Sequence, residues 1–175
     1  MTLYSRVLLA GLLLAPINGA FAQAANNDGA SRTQSIQTAE TGWQVICRPQ
    51  QADRAKLDCS MVYETFTTND RVRVAAVEIV KGEKGRTTIV SVPVGVSLTD
   101  GIELMLDGAN RQVLGFASCQ SNGCFATLDL DAKLVDTIRK GKNLSASFND
   151  GQGSKVKVDI SLVGFNAAFL KSEDK

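Results

Sequence analysis

The sequence predicts a mainly β protein, an antiparallel β-sandwich with one short helix at about residues 130–140. Three observations carry that reading. Apolar and polar residues alternate at the period of a strand, most cleanly where Val156, Val158, Ile160 and Leu162 interleave with Lys155, Lys157, Asp159 and Ser161. Turn dipeptides such as Asp107-Gly108, Asn122-Gly123 and Asp150-Gly151 punctuate these segments, because Gly, Asn and Asp tolerate positive φ at little steric cost. Cys119 and Cys124 enclose Gln-Ser-Asn-Gly, so a disulfide there would staple two adjacent strand ends across a tight turn.

Residues 1–22 have the three parts of a secretory signal. Arg6 is the positive region, Val7 to Leu14 the apolar core, and Ala20-Phe21-Ala22 the small-x-small cleavage pattern. The apolar core is too short to cross a bilayer of about 30 Å as a helix. No later apolar run approaches about 20 residues, so no transmembrane helix is expected in the mature chain. Cleavage would leave 153 of the 175 residues, enough for one domain. Residues 23–41 are small and polar without apolar periodicity, and read as a flexible segment. The domain is expected over 42–170, with a charged tail at 171–175.

Within it, Trp43, Val45 and Cys47 share one face of an opening strand, and Leu57 to Tyr63 returns from the polar loop at 48–56. A bridge between Cys47 and Cys59 would close that hairpin. Arg71 to Val80 reads as a long strand whose apolar phase flips at Ala75-Ala76, which predicts a β-bulge. Lys81 to Gly85 is a turn, Thr87 to Val92 a strand, and Pro93 to Val96 a strand end and bend. Ile102, Leu104 and Leu106 alternate up to the Asp107-Gly108 turn, and Gln112 to Ala117 enters the Cys119–Cys124 turn. For the helix, Asp129 or Asp131 can cap the start, and Leu134, Val135 and Ile138 share a face. Arg139 and Lys140 suit its negative end, and Gly141 is expected in a left-handed position after it. Leu144 to Phe148 and Lys155 to Leu162 form the last hairpin, and Phe165 and Phe169 finish the core.

The chemistry is defined largely by what is missing. The chain has no histidine, which removes Ser-His-Asp and Cys-His catalysis, His-ligated zinc and His general bases together. No catalytic, cofactor-binding or metal-binding residue is assigned, and no cofactor is expected. The four cysteines are separated by 11, 59 and 4 residues, unlike the close pairs of structural zinc sites. Behind an export signal they favour two disulfides, and Cys47–Cys59 with Cys119–Cys124 is the local pairing among three possible connectivities. The signal carries one of the 19 basic residues, leaving 18 against 18 acidic ones. That neutral balance argues against a nucleic acid or an anionic membrane as partner. Asp129 and Asp131 are better explained by capping than by glycosidase or calcium chemistry. Trp43 is better explained as a core residue near the first disulfide than as a sugar platform.

In combination, Gly42-Trp43, Cys47, Cys59, Val92-Pro93-Val94-Gly95-Val96, Leu106-Asp107-Gly108, Cys119-x4-Cys124 and Ser161-Leu162-Val163-Gly164-Phe165-Asn166-Ala167-Ala168 resemble the invasion-associated locus B family. The resemblance spans Gly42 to Leu170; Val92 stands where the family's Leu-Pro-x-Gly-Val pattern has leucine. It implies an immunoglobulin-like sandwich in an exported protein of alphaproteobacterial type, in the periplasm, at the outer membrane or on the cell surface. It brings no catalytic motif. The expected function is therefore non-enzymatic binding of an envelope or host protein, or another envelope component, with a link to host-cell invasion in pathogenic members. The alternative is a carbohydrate-binding or carbohydrate-acting protein using Trp43 or Tyr63 with Asp129 and Asp131. A purely structural envelope protein is a third reading.

Overall fold

The computed structural model describes residues 33–35, 38–82 and 85–173. The signal expected over 1–22, most of the polar segment over 23–41 and the tip of the turn at Glu83-Lys84 lie outside the described residues. Two sheets, antiparallel except at the β1 edge, face each other around one core, the β-sandwich that the sequence predicts. In the first sheet a meander runs through β3 (Gln44–Pro49), β4 (Leu57–Thr67), β5 (Arg73–Gly82) and β6 (Gly85–Val92). β10 (Gly123–Leu130) and β9 (Phe116–Gln120) complete it, and the short β2 (Thr38–Glu40) shares the β4 edge with β3. The second sheet is ordered β1-β12-β11-β7-β8, from β1 (Thr33–Ser35), β7 (Ile102–Leu106), β8 (Ala109–Leu114), β11 (Asn143–Asn149) and β12 (Lys155–Ser161).

Alternation explains how the faces meet. Val156, Val158 and Ile160 of β12 are buried while Lys157 and Asp159 are exposed, and Met61, Tyr63, Val77 and Val90 fill the opposing face. The chain changes sheets at Gly115, where β8 ends and β9 begins, so the segment expected to run on to Ala117 serves both layers.

Four sequence expectations need correction. The β5 bulge lies at Val74, not at Ala75-Ala76. Phe66 pairs with Arg73 and Thr65 with Ala75, leaving Val74 as the extra residue. All four residues from Val74 to Val77 are buried, so the pattern reflects a strand covered on both sides as well as a phase flip. The polar segment is not wholly irregular: β1 lies parallel to Lys155–Lys157 and β2 pairs with Thr65–Thr67. Edge pairing needs backbone groups, not apolar side chains, so composition is silent about it. A second helix, α2 (Phe165–Glu173), occupies the expected core closure and runs three residues into the supposed charged tail. Its buried residues Phe165, Ala168 and Ser172 lie at helical spacing, and Gly164 turns the chain into it with φ +84°.

The fourth correction concerns α1 (Ala132–Lys140). Asp131 is its cap, its carboxylate accepting from the Leu134 N–H at 2.7 Å. Gly141, however, is extended at φ −73°, ψ 165°. Glycine is needed there for space, since a Cβ would come within 2.6 Å of Leu106 Cδ1 and 3.0 Å of Leu162 Cδ1. Among the described residues no helix is long and apolar enough to cross a membrane.

Candidate functional site

A cavity of about 320 Å³ opens between the sheets beneath α1. Ile79 and Leu128 line it from the first sheet, Leu104 and Leu144 from the second, and Trp43 and Phe165 close its inner end. These positions are apolar because strand alternation aims them at the sandwich interior. They leave a void because α1 lies over the gap without filling it. None of its residues is buried, and Leu134, Val135 and Ile138, its apolar face, are all half-exposed. Leu134, Val135 and Ile138 rest against the core, and the helix is also held at its ends. Asp131 caps the start, and the Asp107 carboxylate receives the Lys142 and Asn143 N–H groups at 3.0 and 2.8 Å just past the finish. A sealed empty void of this size would cost on the order of 8 kcal/mol at about 24 cal/mol per Å³. That is comparable to the whole stability of a domain.

The polar residues gather at one side. Gln112 pairs with the inward-facing Leu104 on β7, so Gln112 points toward the interior from β8; Asn110, beyond a register shift and at φ +49°, lines the cavity from the turn. An edge strand of a sandwich would normally place apolar residues there. Both amides are exposed, as are Asp131 and Lys133 beside them, and together they form the mouth. Sequence reasoning passed over Asn110 and Gln112. Gln112's shared parity with buried Leu114 is the signal that could have found it; Asn110 lies beyond a register shift and gives no such signal.

On the outer face of the same wall, Glu103 of β7 joins Arg111 of β8 at 2.5 Å and Lys155 of β12 at 3.2 Å. The Arg111 and then the Lys155 hydrogen bond hold its carboxyl below the ordinary carboxylate range. A depressed acid contributes stability that is complete above its unfolded pKa, about 4.3, and is lost as pH falls through the lower folded value. Glu103→Gln should therefore cost about 1 kcal/mol at pH 7. Wild type and variant should converge in urea midpoint at the acid end; an equal gap at pH 7 and pH 3 would refute the assignment.

The residues singled out from sequence fall elsewhere or take structural roles. Cys47 is bonded to Cys59 across β3 and β4, and Cys119 to Cys124 across β9 and β10. No cysteine lines the cavity. Trp43 is half-buried, its indole N–H donating to the Ser161 carbonyl at 2.8 Å, with Tyr63 and Phe165 rings at 5.3 and 5.0 Å. Tyr63 is fully buried and its hydroxyl accepts from the Ser161 N–H. Burial, with Glu40 beside it, pushes that hydroxyl far above the ordinary tyrosine range, so it has no acid–base use at neutral pH. Asp129 accepts from the Thr87 hydroxyl at 2.8 Å. Of these four, Trp43 and Asp131 line the same cavity, whereas Tyr63 and Asp129 do not, and no exposed aromatic platform forms beside the aspartates.

The fold and the site define a disulfide-stapled antiparallel β-sandwich with a helix-covered apolar cavity and no free cysteine among the described residues. The family model described as invasion associated locus B (IalB) protein matches residues 43–173, and the chain belongs to that family. It is 30% identical over 136 residues to the invasion protein B homologs of Brucella abortus strain 2308 and of biovar 1 strain 9-941, covering 77% of this chain and 77% of each relative. Among solved structures it is similar to the crystal structure of invasion associated protein B from Bartonella henselae. The TM-score is 0.65 at 23% identity, over 75% of this chain and 90% of that one.

Proposed function

We propose that this chain is an exported, non-enzymatic protein of the cell envelope that acts by binding an envelope component or an envelope or host protein. The observation that carries the reading is the half-open apolar cavity with its polar mouth, since pockets of this size and lining are the usual form of a binding site. The absence of histidine and the engagement of Cys47, Cys59, Cys119 and Cys124 in disulfides support a role without covalent chemistry. The disulfides and the signal-like residues 1–22 support export to the oxidising space outside the inner membrane. A link to host-cell invasion belongs to the same reading and rests on the names of the relatives. The carbohydrate reading is the weaker one: Trp43 and Asp131 share the cavity, but Tyr63 is buried, Asp129 lies elsewhere and Asp131 caps a helix.

Crosslinking in the native envelope, followed by recovery of the full chain, tests the proposal. One lipid or protein recovered with the wild type, and lost when Asn110 and Gln112 are changed to alanine with the fold intact, would support it. Recovery of glycan alone, or of nothing specific, would overturn it.

A further inference from the structure

Resting on that binding reading, we infer that the cavity beneath α1 takes a single unbranched acyl chain, with its polar head at the mouth beside Lys133, Asn110 and Gln112.

The shape and chemistry of the site select this class. At about 320 Å³ the cavity lies at the small end of ligand sites, the scale of one chain and not of a two-chain lipid. The walls come from strand positions that would otherwise be core, so they offer contact to hydrocarbon and almost no partners to water. Apolar voids of this kind are poor hosts for water, which needs two to four polar partners. The polar groups are confined to the rim, as an amphiphile requires. Lys133 has no ion-pair partner among the described residues, whereas the Asp131 carboxylate is occupied by the Leu134 N–H. That hydrogen bond leaves the Asp131 charge in place, so the rim offers one cation beside one anion and suits a polar head. The Asn110 and Gln112 amides make no side-chain hydrogen bond among the described residues and are free to receive one.

The helix supplies the second half of the argument. The face of α1 formed by Leu134, Val135 and Ile138 is amphipathic enough to belong on a core, yet no residue of it is buried. Leu134, Val135 and Ile138 already pack against the core, and a chain lying in the cavity would extend the contact made by Leu134 and Ile138, which line it. α1 thus acts as a cover, pinned at both ends by Asp131 and Asp107, whose packing is completed by the occupant.

Trp43 makes the proposal directly testable, because it is the single tryptophan of the chain and it lines the cavity. The probe is bromoundecanoate, whose bromine quenches indole emission on contact, with bromoacetate as the control for collision in solution. The full-length purified protein should show saturable one-to-one quenching by the long chain and none by the short acid. Decanoate and a single-chain lysophospholipid, used as competitors, distinguish a free acid from a lipid as the source of the chain; displacement by either supports the class. Thr137→Phe places a ring in the cavity from α1, where the Thr137 hydroxyl bonds only to the Lys133 carbonyl of its own helix. This variant should keep the wild-type melting temperature and bind the probe at least about tenfold more weakly, about 1.4 kcal/mol. If it does not fold, Leu134→Phe makes the same test.

Absence of saturable quenching in the wild type would overturn the inference, as would unchanged quenching in a folded ring-filled variant, which indicates adsorption to the surface. Specific recovery of an envelope protein without any quenching would overturn the acyl-chain inference while leaving the binding reading intact. Failure of both experiments would remove both.

Discussion

Reducing both disulfides is expected to lower the unfolding free energy by about 5 kcal/mol. Cys47 and Cys59 are 12 residues apart, and Cys119 and Cys124 are 5 apart. By the chain-entropy model, cross-links closing such loops contribute about 2.8 and about 2.1 kcal/mol by restricting the unfolded chain. The two bonds lie toward opposite sides of the first sheet, one joining β3 to β4 and the other β9 to β10, and share no partner strand, so their effects should add. Against a typical stability of 5–15 kcal/mol, losing both leaves the domain marginal. Denaturant midpoints of Cys47→Ala/Cys59→Ala, of Cys119→Ala/Cys124→Ala and of the four-fold variant measure each contribution. The first pair should cost more than the second. A four-fold loss below about 1 kcal/mol would show that the core alone holds the sheets in register.

Phe165→Ala should be the most damaging single truncation of α2, at about 3–5 kcal/mol. Phe165 is 1% exposed, meets Trp43 edge-to-face at 5.0 Å and stacks on Phe169 at 6.1 Å. Its loss would leave a hole at the inner end of the cavity, beside Trp43. The helix would not detach at once, since Arg86 of β6 reaches across to Glu173 and Ser172 and lies 5.2 Å from the centre of the Phe169 ring. The fall in stability should therefore come with red-shifted Trp43 emission in the folded state. Val163→Ala, at a side chain 82% exposed just before α2, should cost almost nothing. Destabilisation without any change in Trp43 emission would mean that Phe165 does not pack where the structure places it.

Period-two alternation made much of the sandwich legible. β12 reads from Lys155 to Ser161 as a half-buried strand because one of its faces meets the core and the other solvent. The Asp131 cap and the two local cysteine pairs were legible for a similar reason, since their partners lie within about a dozen residues. α2 was not. Its mean hydrophobic pattern is weak, and Phe165 and Phe169 suit a strand as well as a helix until Trp43 and Arg86 appear beside them. The strands at Thr33–Ser35 and Thr38–Glu40 were hidden because backbone pairing on an edge leaves no apolar pattern in a polar sequence.

The candidate site was the least legible part. Its walls are ordinary core residues, and nothing in Leu104, Leu128 or Ile138 distinguishes a filled interior from a cavity. Local patterns of charge, turn and alternation determined the mainly β class, the disulfide-stapled hairpins and the poverty of catalytic chemistry, because each of these depends on residues close in the chain. Tertiary structure alone decided that α1 rests over a gap with none of its residues buried and that Asn110 and Gln112 line its mouth. Packing volume is a property of facing surfaces, and the surfaces that meet here come from strands and helices far apart in sequence.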